Sequence, residues 1–152
     1  MIKVKEITEN DLSFVRDVRN MNKDKFFNKM HFTDVGQRAW WSRYNEQQGD
    51  DQKDYTYIVW LDDILPIGML AIYDIDFDNQ VAEIGRTLLH SQYRGKGYMT
   101  EAFKIVMDKA VALGIKTLKL EVYADNENAI KLYQRMGFVN KDKPILAMEA
   151  KL

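Results

Sequence analysis

Residues 2–7, IKVKEI, alternate apolar and polar side chains, the two-residue period of a strand with one face buried. The period changes over 8–21, TENDLSFVRDVRNM, where Leu12, Val15 and Val18 share one face of a helix and Thr8 or Asn10 is placed to cap it. Residues 22–33, NKDKFFNKMHFT, keep no period and read as a connection carrying exposed aromatics. Asp34 and Gln37 have capping-box spacing, which predicts a second helix over 35–46 containing Trp40 and Trp41. The polar, aperiodic stretch 45–54 is expected to be a surface loop. Apolar runs at 55–61, 66–75 and 81–90, parted by short turns at Asp62-Asp63 and near Asp78-Asn79, predict an antiparallel meander. Pro66 is tolerable at a strand start. From Tyr98 the helical period returns at Ala102, Ile105, Val106, Ala110 and Leu113, with Gly114 placed to stop the helix. KTLKLEVYA (116–124) is the next strand and NENAIKLYQRMG (126–137) a short helix ended by Gly137. Residues 138–140 and 145–152 close the chain as a strand pair across a turn near Lys143-Pro144. The predicted order is β-α-α-β-β-β-α-β-α-β-β, an α/β chain of the α+β kind.

Composition narrows the class. With 152 residues, 46% of them apolar and 30% charged, one folded domain over 1–152 is expected. A net charge of −1 disfavours a nucleic-acid binder, which needs surplus Lys and Arg against phosphates. The chain has no cysteine, which removes disulfides, thiolate nucleophiles and cysteine-based zinc sites. MIKVKEITEN lacks the apolar core of a secretion signal, and no apolar run approaches the roughly 18 residues of a membrane helix. A cytoplasmic protein with no membrane association is expected.

The candidate chemistry begins at QYRGKGYMTEA (92–102), where a strand hands over to a helix. A plain turn needs one glycine at most, yet Gly95 and Gly97 stand one residue apart beside Arg94 and Lys96. Glycine permits positive φ and removes the Cβ that would block an approaching anion. The first N–H groups of a helix lack internal partners and sit at the positive end of its dipole. Together these features suit a phosphate; the bland alternative is an ordinary β-to-α turn with charged neighbours. Other phosphate fingerprints, G-x-x-x-x-G-K-[ST] and G-x-G-x-x-G after a first strand, are absent.

A second constellation, LEVYADNENAIKLYQRMGF (120–138), sets an Asn at a helix entry and Tyr133 late in that helix. With both in view, the chain resembles the GNAT superfamily of acyl-CoA-dependent N-acyltransferases. Gln92-x-x-Gly95-x-Gly97 matches the family's pyrophosphate motif, and Asn126-x-x-Ala129-x-x-Leu132-Tyr133-x-x-x-Gly137-Phe138 its second block. The resemblance covers 81–138 well and the N-terminal third only in outline. It implies a GNAT-like fold, a mostly antiparallel mixed sheet of about seven strands with a V-shaped splay, flanked by about four helices. It also implies acetyl-CoA as co-substrate and no metal. The pyrophosphate would lie on Gln92, Arg94, Gly95, Lys96, Gly97 and Tyr98. The pantetheine arm would lie along the strand edge at 87–89, which includes Leu88 and Leu89, with Asn126 bonding the arm or holding the splay. Tyr133 matches the tyrosine that protonates the departing thiolate, a role worth about 10²–10⁴-fold; the alternative is a pocket wall. For a base the resemblance offers Glu121 first and Glu83 second. Deprotonation through water, or two solvated strand-face charges, are the alternatives.

The acceptor is less constrained. Val18-Arg19-Asn20, the aromatics that follow and QRAWW (37–41) look similar to GNAT members acting on amino-sugar nucleotides, and also to those acting on ribosomal-protein N-termini. The implied partner is a small-molecule amine, an amino sugar or sugar nucleotide foremost, or a peptide N-terminus. A homodimer is compatible with the class, and a non-catalytic acyl-CoA-binding module is the reading outside enzymes. Phe26, Phe27, Phe32, Trp40 and Trp41 could stack on an acceptor or simply pack, and Arg19 could meet an acidic one. His31 and His90 are too few for a usual metal site, and Ser91 lacks a G-x-S-x-G elbow.

Overall fold

The computed structural model describes residues 1–21, 34–47, 49–142 and 145–152, without the side chains at 34, 50, 142 and 145–147. His31, Phe26, Phe27, Phe32 and the expected Lys143-Pro144 turn lie outside the described residues. The strands are β1 (Ile2–Glu6), β2 (Tyr55–Leu61), β3 (Leu65–Asp76), β4 (Val81–Leu89), β5 (Thr117–Tyr123), β6 (Val139–Asp142) and β7 (Ile145–Lys151). The helices are α1 (Leu12–Met21), α2 (Asp34–Glu46), α3 (Tyr98–Ala112) and α4 (Glu127–Arg135). The strands form one mixed sheet in the order β1-β2-β3-β4-β5-β7-β6, antiparallel throughout except for the β4–β5 pair. Among the described residues no helix is long and apolar enough to cross a membrane.

The two-residue period explains how the sheet is covered. On one face, Leu70, Ile72, Ile84, Leu118 and Leu120 pack against Phe103, Val106 and Ala110 of α3. On the other, Ile58, Met69 and Leu88 meet Val15 and Val18 of α1 and Tyr44 of α2. Central strands are thus covered on both sides, which is why Thr56 to Val59 of β2 are all buried. Trp40 and Trp41 belong to this packing: Trp40 stacks on Tyr44 with ring centroids 5.0 Å apart, and both tryptophans line the α1–α2 core.

Some local expectations change. Thr8 serves a short 3₁₀ turn over Glu9–Asp11 rather than α1 directly, its N–H donating to Asp11 Oδ2 at 2.8 Å. Gln37 is buried and makes a tertiary bond. Its Nε2 donates to the Leu12 carbonyl at 2.5 Å, tying α2 to the start of α1. The stretch 45–54 is a loop only in part, since α2 runs to Glu46 and a 3₁₀ turn covers Gly49–Asp51. The Asp62-Asp63 turn holds both residues at positive φ, 54° and 61°, the geometry of the tight hairpin turn that follows strand twist.

One close approach sets the β3–β4 spacing. A Cβ on Gly68 would lie 2.4 Å from the Leu88 carbonyl oxygen, so the backbones meet more closely than any side chain allows. Gly68→Ala is expected to destabilise the fold by about 1–3 kcal/mol, the cost of overpacking. A lowered urea midpoint with an unchanged denaturant slope would show it.

Candidate active site

The sheet is split beside its centre. β4 and β5 pair in parallel only at Val81↔Thr117, Ala82↔Leu118 and Glu83↔Lys119. Beyond these, β4 stays with β3 and β5 stays with β7, so the facing edges from Ile84 and Leu120 onward have no ladder partner across the gap. The cause is visible in β4. Arg86 has φ 54°, and the register steps from Ala71↔Gly85 to Met69↔Leu88, so Arg86 and Thr87 stand opposite one residue, Leu70. Such a bulge bends its strand and breaks the local ladder. The open edge includes Leu88 and Leu89, whose side chains pack into the two cores while their backbone borders the gap.

At the wide end of the wedge β4 runs into the glycine turn. His90 N–H donates to the Ile67 carbonyl at 2.8 Å, and a 3₁₀ turn over Ser91–Tyr93 carries exposed Gln92. Gly95 and Gly97 adopt φ 76° and 79°, and Gly97 is the N-cap of α3. Glu101 N–H bonds back to the Gly97 carbonyl at 3.1 Å, which leaves the earlier N–H groups at the exposed helix start. A Cβ on either glycine would meet no protein atom within 4 Å. The protein does not need these glycines for room; they hold a left-handed backbone open to solvent at the helix start. Arg94 and Lys96 are exposed at the same rim.

Across the wedge, α4 brings in Tyr133. Asn126 caps this helix, its side-chain oxygen accepting from Ala129 N–H at 3.4 Å, and the Phe138 N–H returns to the Tyr133 carbonyl at 3.0 Å. The Tyr133 ring packs on Phe103 and Phe138, with centroids 5.4 and 6.1 Å away. The Thr87 side chain on β4 stands near enough to act on the Tyr133 hydroxyl. A residue after β5 therefore reaches a residue of β4 over the gap between the two strands. Burial raises the phenol's pKa above its ordinary value, against a smaller lowering by Thr87. It stays protonated through neutral pH, as a proton donor must.

The two carboxylates differ. Both Glu83 and Glu121 lie on the sheet face opposite α3, because their neighbours Ala82, Ile84, Leu120 and Val122 fill the α3 core. Glu121 is exposed. Glu83 is half-buried, and its pKa is raised first by that burial and then by Asp74 and Glu121, while Tyr73 and Lys119 oppose the rise. It borders an acidic cavity of about 370 Å³ lined also by Asp74, Asp76, Asn79 and Lys119. On the same face Arg86 Nη1 bonds Asp54 Oδ2 at 2.6 Å and Thr56 Oγ1 at 3.3 Å. Arg19, at the end of α1, is half-buried, and its pKa is lowered by burial and by the nearby charge of Arg86.

A family model described as the acetyltransferase (GNAT) family matches residues 15–138. The chain belongs to the GNAT family. It is 43% identical over 54 residues to the uncharacterized N-acetyltransferase YycN of Bacillus subtilis (strain 168), covering 36% of this chain and 35% of that protein. It is 32% identical over 89 residues to the spermidine N(1)-acetyltransferase of Escherichia coli (strain K12), covering 58% and 47%. These matches thus span only about a third to a half of the relatives' lengths. The spermidine N-acetyltransferase of Vibrio cholerae, solved with CoA and spermine, superposes at a TM-score of 0.88 over 99% of this chain and 95% of its own, at 16% identity. That likeness shows the shared GNAT fold.

The glycine turn that the GNAT pattern singles out follows β4, and Asn126 and Tyr133 follow β5, at the cap and on the body of α4. Asn126 has its side-chain oxygen committed to the α4 cap. Tyr73, Arg86 and Asp54 were missed, and Thr87 was placed only as part of the strand edge 87–89. Only Arg86 left a trace in sequence, a charge inside an apolar run where a bulge can carry it. Among the described residues no group of three or more His, Asp or Glu stands ready to hold a metal.

Proposed function

We propose that this GNAT protein transfers an acetyl group from acetyl-CoA to a primary amine of a small cationic acceptor of the polyamine type. The observation that carries the reading is the wedge itself, with the glycine turn at its mouth and Tyr133 facing Thr87 across it. Acetyl-CoA supplies a thioester, and its departing sulfur needs a proton. The residues at 92–98 would hold the diphosphate, and the open β4 edge would bond the amides of the pantetheine arm. Tyr133, buried and protonated, donates to the sulfur. Glu83 takes the proton from the incoming ammonium, directly or through a water, its pKa raised toward neutral pH by burial and by Asp74.

The polyamine acceptor displaces the amino sugar on two grounds. The relatives with a named acceptor act on spermidine or spermine. Asp74, Asp76 and Glu83 face one lysine in the cavity at the closed end of the wedge, which suits an ammonium and repels a nucleotide diphosphate. The test is CoA release with acetyl-CoA and, separately, spermidine, spermine, an amino sugar, its nucleotide and a peptide with a free N-terminus. Preference for the polyamines supports the reading; preference for the sugar nucleotide or the peptide overturns the acceptor class, and no release with any amine overturns the activity. Glu83→Gln is expected to lower kcat at pH 7 by about 10²-fold, the scale of general base help, and Glu121→Gln to leave it nearly unaltered. The reverse order would return the role to Glu121.

A further inference from the structure

Tyr73 stands directly opposite Glu83 in the β3–β4 ladder, so the two side chains rise side by side on the same face. That pairing is a made one. Counted back from the Asp76↔Val81 pair at the turn, a regular hairpin would put Asp74 opposite Glu83, two like charges face to face. Instead β3 carries an irregularity between Tyr73 and Asp76, with Asp74 at φ 50°, and the register slips by one residue. A phenol replaces a carboxylate as the cross-strand partner.

Two neighbours hold the phenol there. Gly85 is not among the glycines at positive φ, so its backbone does not demand glycine. Its Cβ, however, would lie 2.9 Å from the Tyr73 hydroxyl oxygen and 3.4 Å from a ring carbon. On the ring face, the Arg86 guanidinium sits 4.3 Å from the Tyr73 centroid, anchored from behind by Asp54 and Thr56. The ring is held between a missing side chain and a fixed cation.

We infer that Tyr73 is a positioning residue for Glu83: its hydroxyl donates to the Glu83 carboxylate and aims it at the wedge, with Gly85 and Arg86 holding the phenol in place. This rests on the reading of Glu83 as proton acceptor. The groups facing Glu83 are Tyr73 and Asp74 from β3 and Lys119 and Glu121 from β5. Without Tyr73, the two carboxylates repel it and Lys119 draws it toward β5, away from the bulge. Burial, Glu83 and Asp74 outweigh Arg86 and push the Tyr73 pKa up to about 12, so the phenol remains a donor over the working range. The bond favours ionised Glu83, and its loss raises the carboxyl pKa.

The experiment uses the full chain with spermidine as acceptor. In Tyr73→Phe, the lower apparent pKa of the kcat–pH profile and the ¹³C-detected carboxyl titration of Glu83 both move up by about one pH unit, the scale of a hydrogen bond to a charge. Plateau kcat falls by about tenfold, while the acetyl-CoA KM is unchanged. Gly85→Ala, which displaces the hydroxyl but keeps it, shows the same upward movement. In a Glu83→Gln background, Tyr73→Phe causes no further loss. A kinetic pKa that stays in place while transfer continues overturns the inference and leaves the activity standing. So does an equal loss in the Glu83→Gln background, which would mark Tyr73 as a packing residue. If the unaltered chain transfers to no amine, both readings fall together.

Discussion

Tyr133→Phe is expected to lower kcat for acetyl transfer by about 10²–10⁴-fold, or about 3–5 kcal/mol of barrier, with little change in the acetyl-CoA KM. The substitution removes one oxygen and keeps the ring, so the contacts with Phe103 and Phe138 survive and the fold is unaffected. What would be lost is the proposed donor beside Thr87. Because burial raises the phenol's pKa, it is uncharged throughout the neutral range in the unaltered protein. Tyr133 ionisation therefore produces no fall in rate between about pH 6 and pH 9. An unchanged kcat in the variant would assign Tyr133 to the pocket wall and leave the sulfur's proton to another donor.

The second large effect falls on binding. Replacing both Gly95 and Gly97 with alanine forces two L residues to φ near 76° and 79°, which costs about 1–2 kcal/mol each. If the chain keeps that backbone, two methyl groups enter the space the diphosphate would use; if it relaxes, the N–H groups turn away from it. Either way acetyl-CoA affinity falls by about 10²-fold, since each 1.4 kcal/mol is about tenfold. Titration calorimetry reads the loss. Because no protein atom lies within 4 Å of either Cβ, the free protein loses only the backbone strain and still folds. Wild-type affinity in this variant would reduce the paired glycines to a bend.

How far the sequence could be read depended on how far each signal reaches along the chain. The meander, the long helix after Gly97 and the short helix after Asn126 appear at the expected places because their periods and stops are local. Gln37 shows the limit: its spacing from Asp34 fits a cap, but a carbonyl 25 residues back claims its amide. Trp40 and Trp41, candidates for stacking on an acceptor, are used in the α1–α2 core, a partner visible only once the helices dock. The choice between Glu83 and Glu121 was open for the same reason. Both lie on strands with the same period, and only the neighbouring strands make one half-buried and the other exposed.

Hydrophobic period, turn chemistry, the glycine stops and the Asn126 cap were enough to define the strands and helices among the described residues and the strand-to-helix turn at Gly95 and Gly97, because each is settled within a few residues. The parting of β4 from β5, the approach of Tyr133 to Thr87 and the pairing of Tyr73 with Glu83 are of another kind. They depend on bulges at Arg86 and Asp74 that shift register by single residues. A one-residue slip changes every cross-strand partner beyond it, and its energy is set by what packs on both sides of the sheet.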